Sequence, residues 1–196
     1  MTKDWPIRLR DGELILRPLR VRDFKAWRTV RGRNQSWLRQ WDSTSPYPEL
    51  DLVPSFTRST RGLLKAAKAG QGIPLVLEFQ GEFVGQINVS GITYGSLWSC
   101  HIGYWIDERV ANQGLMTRAV ALVCRYLFVE RNLHRIEIAI RPENDPSNRV
   151  VQKLGFTFEG VRKSFIHIDG QWRDHNIYVM FSDQVSPELS EVLLGQ

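Results

Sequence analysis

Hydrophobic positions along the chain alternate between a period of two and a period near 3.6, and the switches divide it into elements. Residues 13–18 read as a first strand, stopped at Pro18, which cannot donate to a ladder. Phe24, Trp27, Val30 and Arg31 recur at helical spacing and predict a helix from 22 to about 33. The pattern breaks over 34–48, where Trp37, Trp41 and Tyr47 stand among prolines and hydroxyl residues; a loop or broken helix is expected there. A second helix fits 54–69, with Pro54 near its start and Gly70 as its stop. Residues 73–79 form an apolar strand, Gly81 marks the turn after it, and 83–89 continue with alternation. Residues 97–106 give a third strand of this central set.

From 113 to about 131, Leu115, Ala119, Leu122, Val123, Tyr126 and Leu127 mark the buried side of a long helix. Residues 135–140 are a strand rich in β-branched side chains. A short helix follows over 146–154, ended by Gly155. Asp169-Gly170 is a strong turn dipeptide between strands 156–168 and 172–181. A terminal helix is expected over 187–194. The order β-α-α-β-β-β-α-β-α-β-β predicts a mixed α/β sandwich around a partly antiparallel sheet. No internal repeat or linker interrupts it, so residues 1–196 are expected to form a single domain with a substantial core.

Composition narrows the class. With 42% hydrophobic and 24% charged residues the chain matches ordinary globular proteins and excludes a disordered one. No apolar run approaches the roughly 20 residues that span a bilayer, and Met-Thr-Lys-Asp-Trp-Pro lacks an apolar signal core. A cytoplasmic protein that does not engage membranes is expected. Cys100 and Cys124 fall in apolar patterns without metal-ligand spacing, so buried free thiols and no metal are expected. The charge is uneven: residues 1–70 carry 15 Lys/Arg against 7 Asp/Glu, net +8, and the remainder 11 against 14, net −3. A basic N-terminal third could face ribosomal or other RNA, or cofactor phosphates; a solvated Arg-rich surface has the same composition.

The candidate chemistry begins between Tyr104 and Ala119. An apolar run ends at Ile106, a polar loop with Gly114 follows, and a helix opens near Thr117. A glycine lets the backbone approach an anion, and the first turn of a helix offers unpaired N–H groups and a positive dipole end. An ordinary strand-to-helix turn has the same layout. A second block, 133–160, contains Asn144, Ser147, Val150, Lys153, Leu154, Gly155, Phe156, Glu159 and Gly160 at the spacing Asn-x-x-Ser-x-x-Val-x-x-Lys-Leu-Gly-Phe-x-x-Glu-Gly.

Together, in this order, the two blocks resemble the GNAT N-acetyltransferase family, and within it the ribosomal-protein-alanine N-acetyltransferases of the RimJ/RimL type. The resemblance spans roughly 13–182. The pyrophosphate loop departs from the family pattern at Ala111, where Arg or Gln is usual, and at Met116, where a small residue is usual.

The resemblance implies the GNAT acyl-CoA N-acyltransferase fold, a mostly antiparallel twisted sheet flanked by helices, with acetyl-CoA as cofactor and CoA as product. It also implies that strands 97–106 and 135–140 splay to admit the pantetheine arm. The backbone of Tyr104, Trp105, Ile106 and Asp107 would then pair with the pantetheine amides like an added strand, and Asn112, Gln113, Gly114, Leu115, Met116 and Thr117 would take the pyrophosphate. Ser147 would protonate the CoA thiolate, with Asn144 hydrogen-bonding cofactor or backbone. Capping of the helix by Ser147 and an Asx-turn at Asn144 are the structural alternatives.

The base is open. Rim-type enzymes can use a glutamate in the strand after the second motif, and that position is Ile166 here. His167, Glu137 and His101 are candidates, each with a structural alternative. Trp37, Trp41 and Tyr47 could wall the acceptor site or simply pack the core. The expected activity is acetyl transfer to a primary amine, most readily a protein N-terminal α-amine, whose reference pKa of about 7.7–8.0 lies well below lysine's 10.4. A small-amine acetyltransferase (amino sugar, polyamine or amino-acid derivative) and a non-catalytic CoA- or RNA-binding module remain alternatives. Monomer and homodimer are both compatible with the sequence.

Overall fold

The computed structural model describes residues 5–50 and 55–184. The expected helix over 187–194 lies outside them. The strands are β1 (Leu9–Asp11), β2 (Leu14–Pro18), β3 (Ile73–Phe79), β4 (Glu82–Thr93), β5 (Ser99–Ile106), β6 (Arg135–Ile140), β7 (Thr157–Ile168) and β8 (Gln171–Phe181). The helices are α1 (Phe24–Arg33), α2 (Gln35–Arg39), α3 (Phe56–Lys68), α4 (Leu115–Arg125) and α5 (Asp145–Lys153). All eight strands join one sheet in the order β1-β2-β3-β4-β5-β6-β8-β7. Every neighbouring pair is antiparallel except β5–β6.

The sheet is packed on both faces. One face carries the main core, in which Ala119, Val120, Val123 and Leu127 of the α4 segment meet Leu75, Ile87, Ile102 and Ile136. The other face carries a smaller cluster of Leu19, Val30, Val76 and Phe83, with Trp27, Phe56 and Trp105 against it, beneath α1 and α3. Trp27 stacks 4.9 Å from Phe56, which holds α1 to α3. Cys100 and Cys124 are buried free thiols of the main core. Among the described residues no helix is long and apolar enough to cross a membrane, and no cluster of His, Cys, Asp and Glu could hold a metal.

Several boundaries differ from the sequence expectation, among them an expected strand at 83–89 that extends over Glu82–Thr93. A three-residue β1 precedes the expected first strand, folded back through Gly12, and is too short for a periodicity signal. The 34–48 segment opens with the single-turn α2. β5 starts at Ser99 rather than 97, because Leu97 and Trp98 turn the chain: the Trp98 carbonyl accepts from the N–H groups of His134 (2.7 Å) and Arg135 (3.1 Å), anchoring the start of β6. α4 passes into a π-helical turn over Tyr126–Glu130, where the Arg131 N–H reaches Tyr126 O five residues back.

Candidate active site

The parallel pair β5–β6 is joined over only three registers: Ser99↔Arg135, Cys100↔Ile136 and His101↔Glu137. Beyond them β5 runs on to Ile106 and β6 to Ile140 without pairing to each other. The strands splay, and backbone groups of β5 are left facing the gap. The Asp107 N–H donates to Val84 O at 2.7 Å on the β4 side. N–H directions alternate along a strand, so those of Tyr104 and Ile106 turn toward the gap.

Two features hold the end of β5 away from β6. At Gly85 a Cβ would lie 2.4 Å from Trp105 O, so only glycine admits the close approach of β4 and β5. Asp107, with no exposed side-chain surface, accepts from Asn34 Nδ2 (2.8 Å) and Arg109 Nε (3.1 Å) and pairs with Arg33. Burial alone would push this carboxyl up; the bonds from Arg33, Asn34 and Arg109 outweigh it and hold the group at about 2. Asn34 in turn accepts from the Glu108 N–H at 2.9 Å. Asp107 therefore fastens the loop after β5 to the junction of α1 and α2.

A cavity passes through the gap from one face of the sheet to the other. On the α4 face it is walled by Asn112, by Gly114–Thr117 and by Arg149 and Lys153 of α5. Gly114, at φ +76°, caps α4, and the first backbone bond within that helix is Arg118 N–H to Gly114 O at 3.1 Å. The N–H groups of Leu115, Met116 and Thr117 are thus left for an anion at the positive end of the helix dipole. Two cations and three free donors around one cavity end fit a pyrophosphate. Ala111 and Met116 line the same end, and the contacts available there are backbone ones.

The middle of the cavity is formed by Gly103, Tyr104, Asn144 and Ser147. Asn144 is the N-cap of α5: its Oδ1 accepts from the Ser147 N–H at 3.2 Å. The Tyr104 hydroxyl donates to Ser147 O at 3.4 Å, and burial raises its pKa. Both contacts use Ser147's backbone. Its side-chain hydroxyl makes no hydrogen bond among the described residues and is free to act in the cavity.

On the α1 face the passage is walled by Trp37, Leu38, Trp41, Asp42, Asn88 and Trp105. Asn88 Oδ1 is buried without a hydrogen-bond partner. A second cavity opens beside this end, under a strap of residues 40–44 that crosses from α2 to the β7–β8 hairpin. The strap is tied down by the Thr44 N–H to His167 O (2.9 Å), by Arg141 Nη1 to Gln40 O (2.7 Å) and by Arg39 to Asp169 (3.0 Å). Ala139, Arg141, Ile166, Ile168 and His175 line this second cavity. Trp41, Asp42, Gly103, Tyr104, Asn144 and Ser147 belong to both cavities, so the two adjoin across a common wall.

Several sequence-derived candidates stand elsewhere. Glu137 is 4% exposed at the paired end of β5–β6, outside both cavity walls. It is clamped by Arg162 (2.7 Å), Arg135 (2.9 Å) and His101 (3.3 Å), which makes it a structural ion-pair centre. His167 faces away from the cavity that Ile166 and Ile168 line, with Nδ1 2.8 Å from the Thr44 hydroxyl. Tyr47 is 59% exposed and outside both walls, unlike Trp37 and Trp41. Gln113 also lies outside them, its Nε2 donating to Arg109 O at 3.4 Å.

Asp42, Asn88, Arg149, Lys153 and His175 are among the site residues that sequence reasoning missed. One signal was available for His175: in β8 it shares a face with Ile177 and Val179, an apolar stripe in which a histidine stands out.

A splayed parallel strand pair, a helix N-terminus beside it and a passage through the sheet define a coenzyme-A-dependent acyltransferase. A family model for the GNAT acetyltransferase domain matches residues 13–157. The [ribosomal protein uS5]-alanine N-acetyltransferase of Escherichia coli (strain K12) is 30% identical over 186 residues, covering 92% of this chain and 94% of its own. The structure of Mycobacterium smegmatis RimJ in complex with CoA-disulfide superposes with a TM-score of 0.87 at 34% identity, covering 97% of this chain and 94% of that one. The ribosomal-protein-S5-alanine acetyltransferase of Vibrio fischeri gives 0.81 at 26% identity, covering 92% and 100%. The chain belongs to the GNAT acetyltransferase family and is an N-acetyltransferase that uses acetyl-CoA.

Proposed function

We propose that this enzyme acetylates the N-terminal α-amine of a protein in the cytoplasm, by similarity a ribosomal protein. The observation that carries the reading is the wall at Ile166. Where a glutamate would deprotonate a strongly basic amine, an isoleucine lines the cavity, and the nearby carboxylate of Asp42 is already paired with Arg31. Such a wall suits an amine that is partly neutral near pH 7.5, as an α-amine is and a lysine is not. Asn88 Oδ1 offers the incoming N–H an acceptor. A polyamine would need several free carboxylates at the mouth, and among the lining residues Asp42 is the sole acid.

In this reading acetyl-CoA lies on the α4 face, its pantetheine against the backbone of Tyr104 and Ile106 and its pyrophosphate at Gly114–Thr117, with Arg149 and Lys153 facing it. The acceptor reaches the thioester from the α1 face between Trp37, Trp41 and Asp42, and Ser147 supplies the proton that the CoA sulfur takes as it leaves. The test is CoA release with Ser-, Thr- and Ala-initiated peptides, an internal-lysine peptide with a blocked N-terminus, and small amines. An N-terminal peptide is expected to exceed the lysine peptide at least tenfold in kcat/KM at pH 7.5. Preference for the lysine peptide or for a small amine would overturn the proposal.

The basic N-terminal third supports a contact with ribosomal RNA. Arg22 just before α1, Lys25 and Arg28 on α1, and Arg58, Arg61 and Lys65 on α3 are exposed and form no ion pair among the described residues. Beside them Phe24 is exposed and within 5.4 Å of Phe56. Binding to a ribosomal RNA fragment is expected to weaken steeply between 50 and 200 mM salt, roughly as the number of phosphates contacted. Charge reversal at Lys25, Arg28 and Arg61 should abolish it, and equal binding by that variant would refute the contact.

A further inference from the structure

We propose that His175 is the proton acceptor of the transfer, and that the cavity beneath the strap is the seat of the acceptor's leading end. This rests on the reading that the acceptor is an amine entering on the α1 face. The cavity shares Gly103, Tyr104 and Ser147 with the wall of the acetyl-CoA passage, so a group seated in it borders the place where the thioester would lie.

His175 is 3% exposed and lines that cavity. Its Nδ1 lies 3.0 Å from Arg173 O. A carbonyl oxygen only accepts, so Nδ1 carries the hydrogen and Nε2 bears the lone pair. The ring packs edge-on to Phe165 at 5.9 Å, which fixes its orientation. Burial, as the largest influence, keeps the imidazole more easily neutral than an exposed one; Arg141 acts in the same direction, while the Arg173 carbonyl, Glu143 and Asp174 oppose it. Arg162 is its cross-strand partner and Asp42 shares the cavity. A neutral, oriented imidazole beside the acceptor's seat is the one group there able to take a proton near neutral pH without first breaking an ion pair.

The step balances without another reactant. The amine nitrogen attacks the thioester carbonyl carbon and a C–N bond forms. One N–H proton passes to Nε2, directly or through one water. The C–S bond breaks, the sulfur takes the Ser147 hydroxyl proton, and the imidazolium proton returns to the serine oxygen through the same cavity. The amine has lost one proton and the thiol has gained one.

The test is the pH dependence of kcat/KM for wild type, His175→Asn and His175→Gln, with the best amine substrate. Asparagine keeps a donor for Arg173 O, and glutamine keeps a polar atom near Nε2; neither accepts a proton. Both variants are expected to retain CoA affinity within twofold and to lose at least 100-fold in kcat/KM at pH 7. In wild type the acid limb should steepen toward a slope of two, since amine and imidazole must both be deprotonated. In the variants it should remain at one. Undiminished turnover or an unchanged slope in either folded variant overturns the inference. Failure of wild type to acetylate any amine overturns the proposed function instead.

Discussion

Ser147→Ala is expected to lower kcat about 100-fold while leaving the affinity for CoA within twofold. The reason is that the fold does not use the hydroxyl. The cap of α5 is made by the Asn144 side chain with the Ser147 backbone N–H, and the Tyr104 hydroxyl contacts the Ser147 carbonyl. Both contacts survive truncation to alanine. What is lost is a proton donor in the part of the wall common to both cavities. A thiolate with a pKa near that of cysteine, about 8.5, is a tolerable leaving group unassisted. The loss should therefore sit at the low end of the 10²–10⁴ range for general acid–base catalysis, about 2.7 kcal/mol of barrier. Asn144→Ala is the matching control: it removes the cap, costs about 1 kcal/mol of stability and moves the melting temperature. Wild-type kcat in Ser147→Ala would show that the serine is only a helix residue.

The largest stability effect is expected at Asp107. Asp107→Ala leaves Arg33 and Arg109 without their buried partner and strips Asn34 of one bond. The arginines left behind are partly exposed and can rehydrate, so the cost is that of the charged hydrogen bonds lost, about 2–3 kcal/mol, which in a chain of 196 residues corresponds to a fall of roughly 7 °C in melting temperature. The same group gives the fold an acid dependence. Its carboxyl is held at about 2 in the folded chain, against about 3.9 when unfolded. Its contribution, about 2.6 kcal/mol, is complete above about pH 5 and is lost as the pH falls through 4 and then through 2. Wild type should lose that stability in urea melts over this window. In Asp107→Asn the corresponding pH dependence should be absent, and an equal acid loss in both proteins would assign it to other carboxylates.

Long elements were legible because a period needs length to show itself. β7 and β8 announce their hairpin through Asp169-Gly170, and the α4 stripe from Leu115 to Leu127 marks the helix that packs on the sheet. β1 and α2 hold too few residues for a pattern, and their existence depends on what they pack against. The cofactor end of the cavity could be read from spacing, since its donors are backbone groups of contiguous residues. The acceptor end could be read only at Trp37 and Trp41, because Asn88 and His175 come from distant segments and reach the cavity walls only through sheet topology. Asp107 illustrates the limit: its backbone was expected beside the pantetheine, and no pattern in the sequence shows that its side chain is held inside the protein by Arg33, Asn34 and Arg109. Glu137 is similar, since no periodicity reveals that two arginines of β6 and β7 converge on it.

The splay also sets the grammar of inhibition. Its two ends open on opposite faces of one sheet, so molecules confined to either end do not exclude each other. A CoA derivative joined through its sulfur to a short peptide would span Ser147 with both halves engaged. Binding of the second half would then be intramolecular, and the conjugate should outbind either fragment by about 10²–10⁴ when the tether matches the span. Lengthening or shortening that tether would measure, without crystals, how thick the sheet is at the gap.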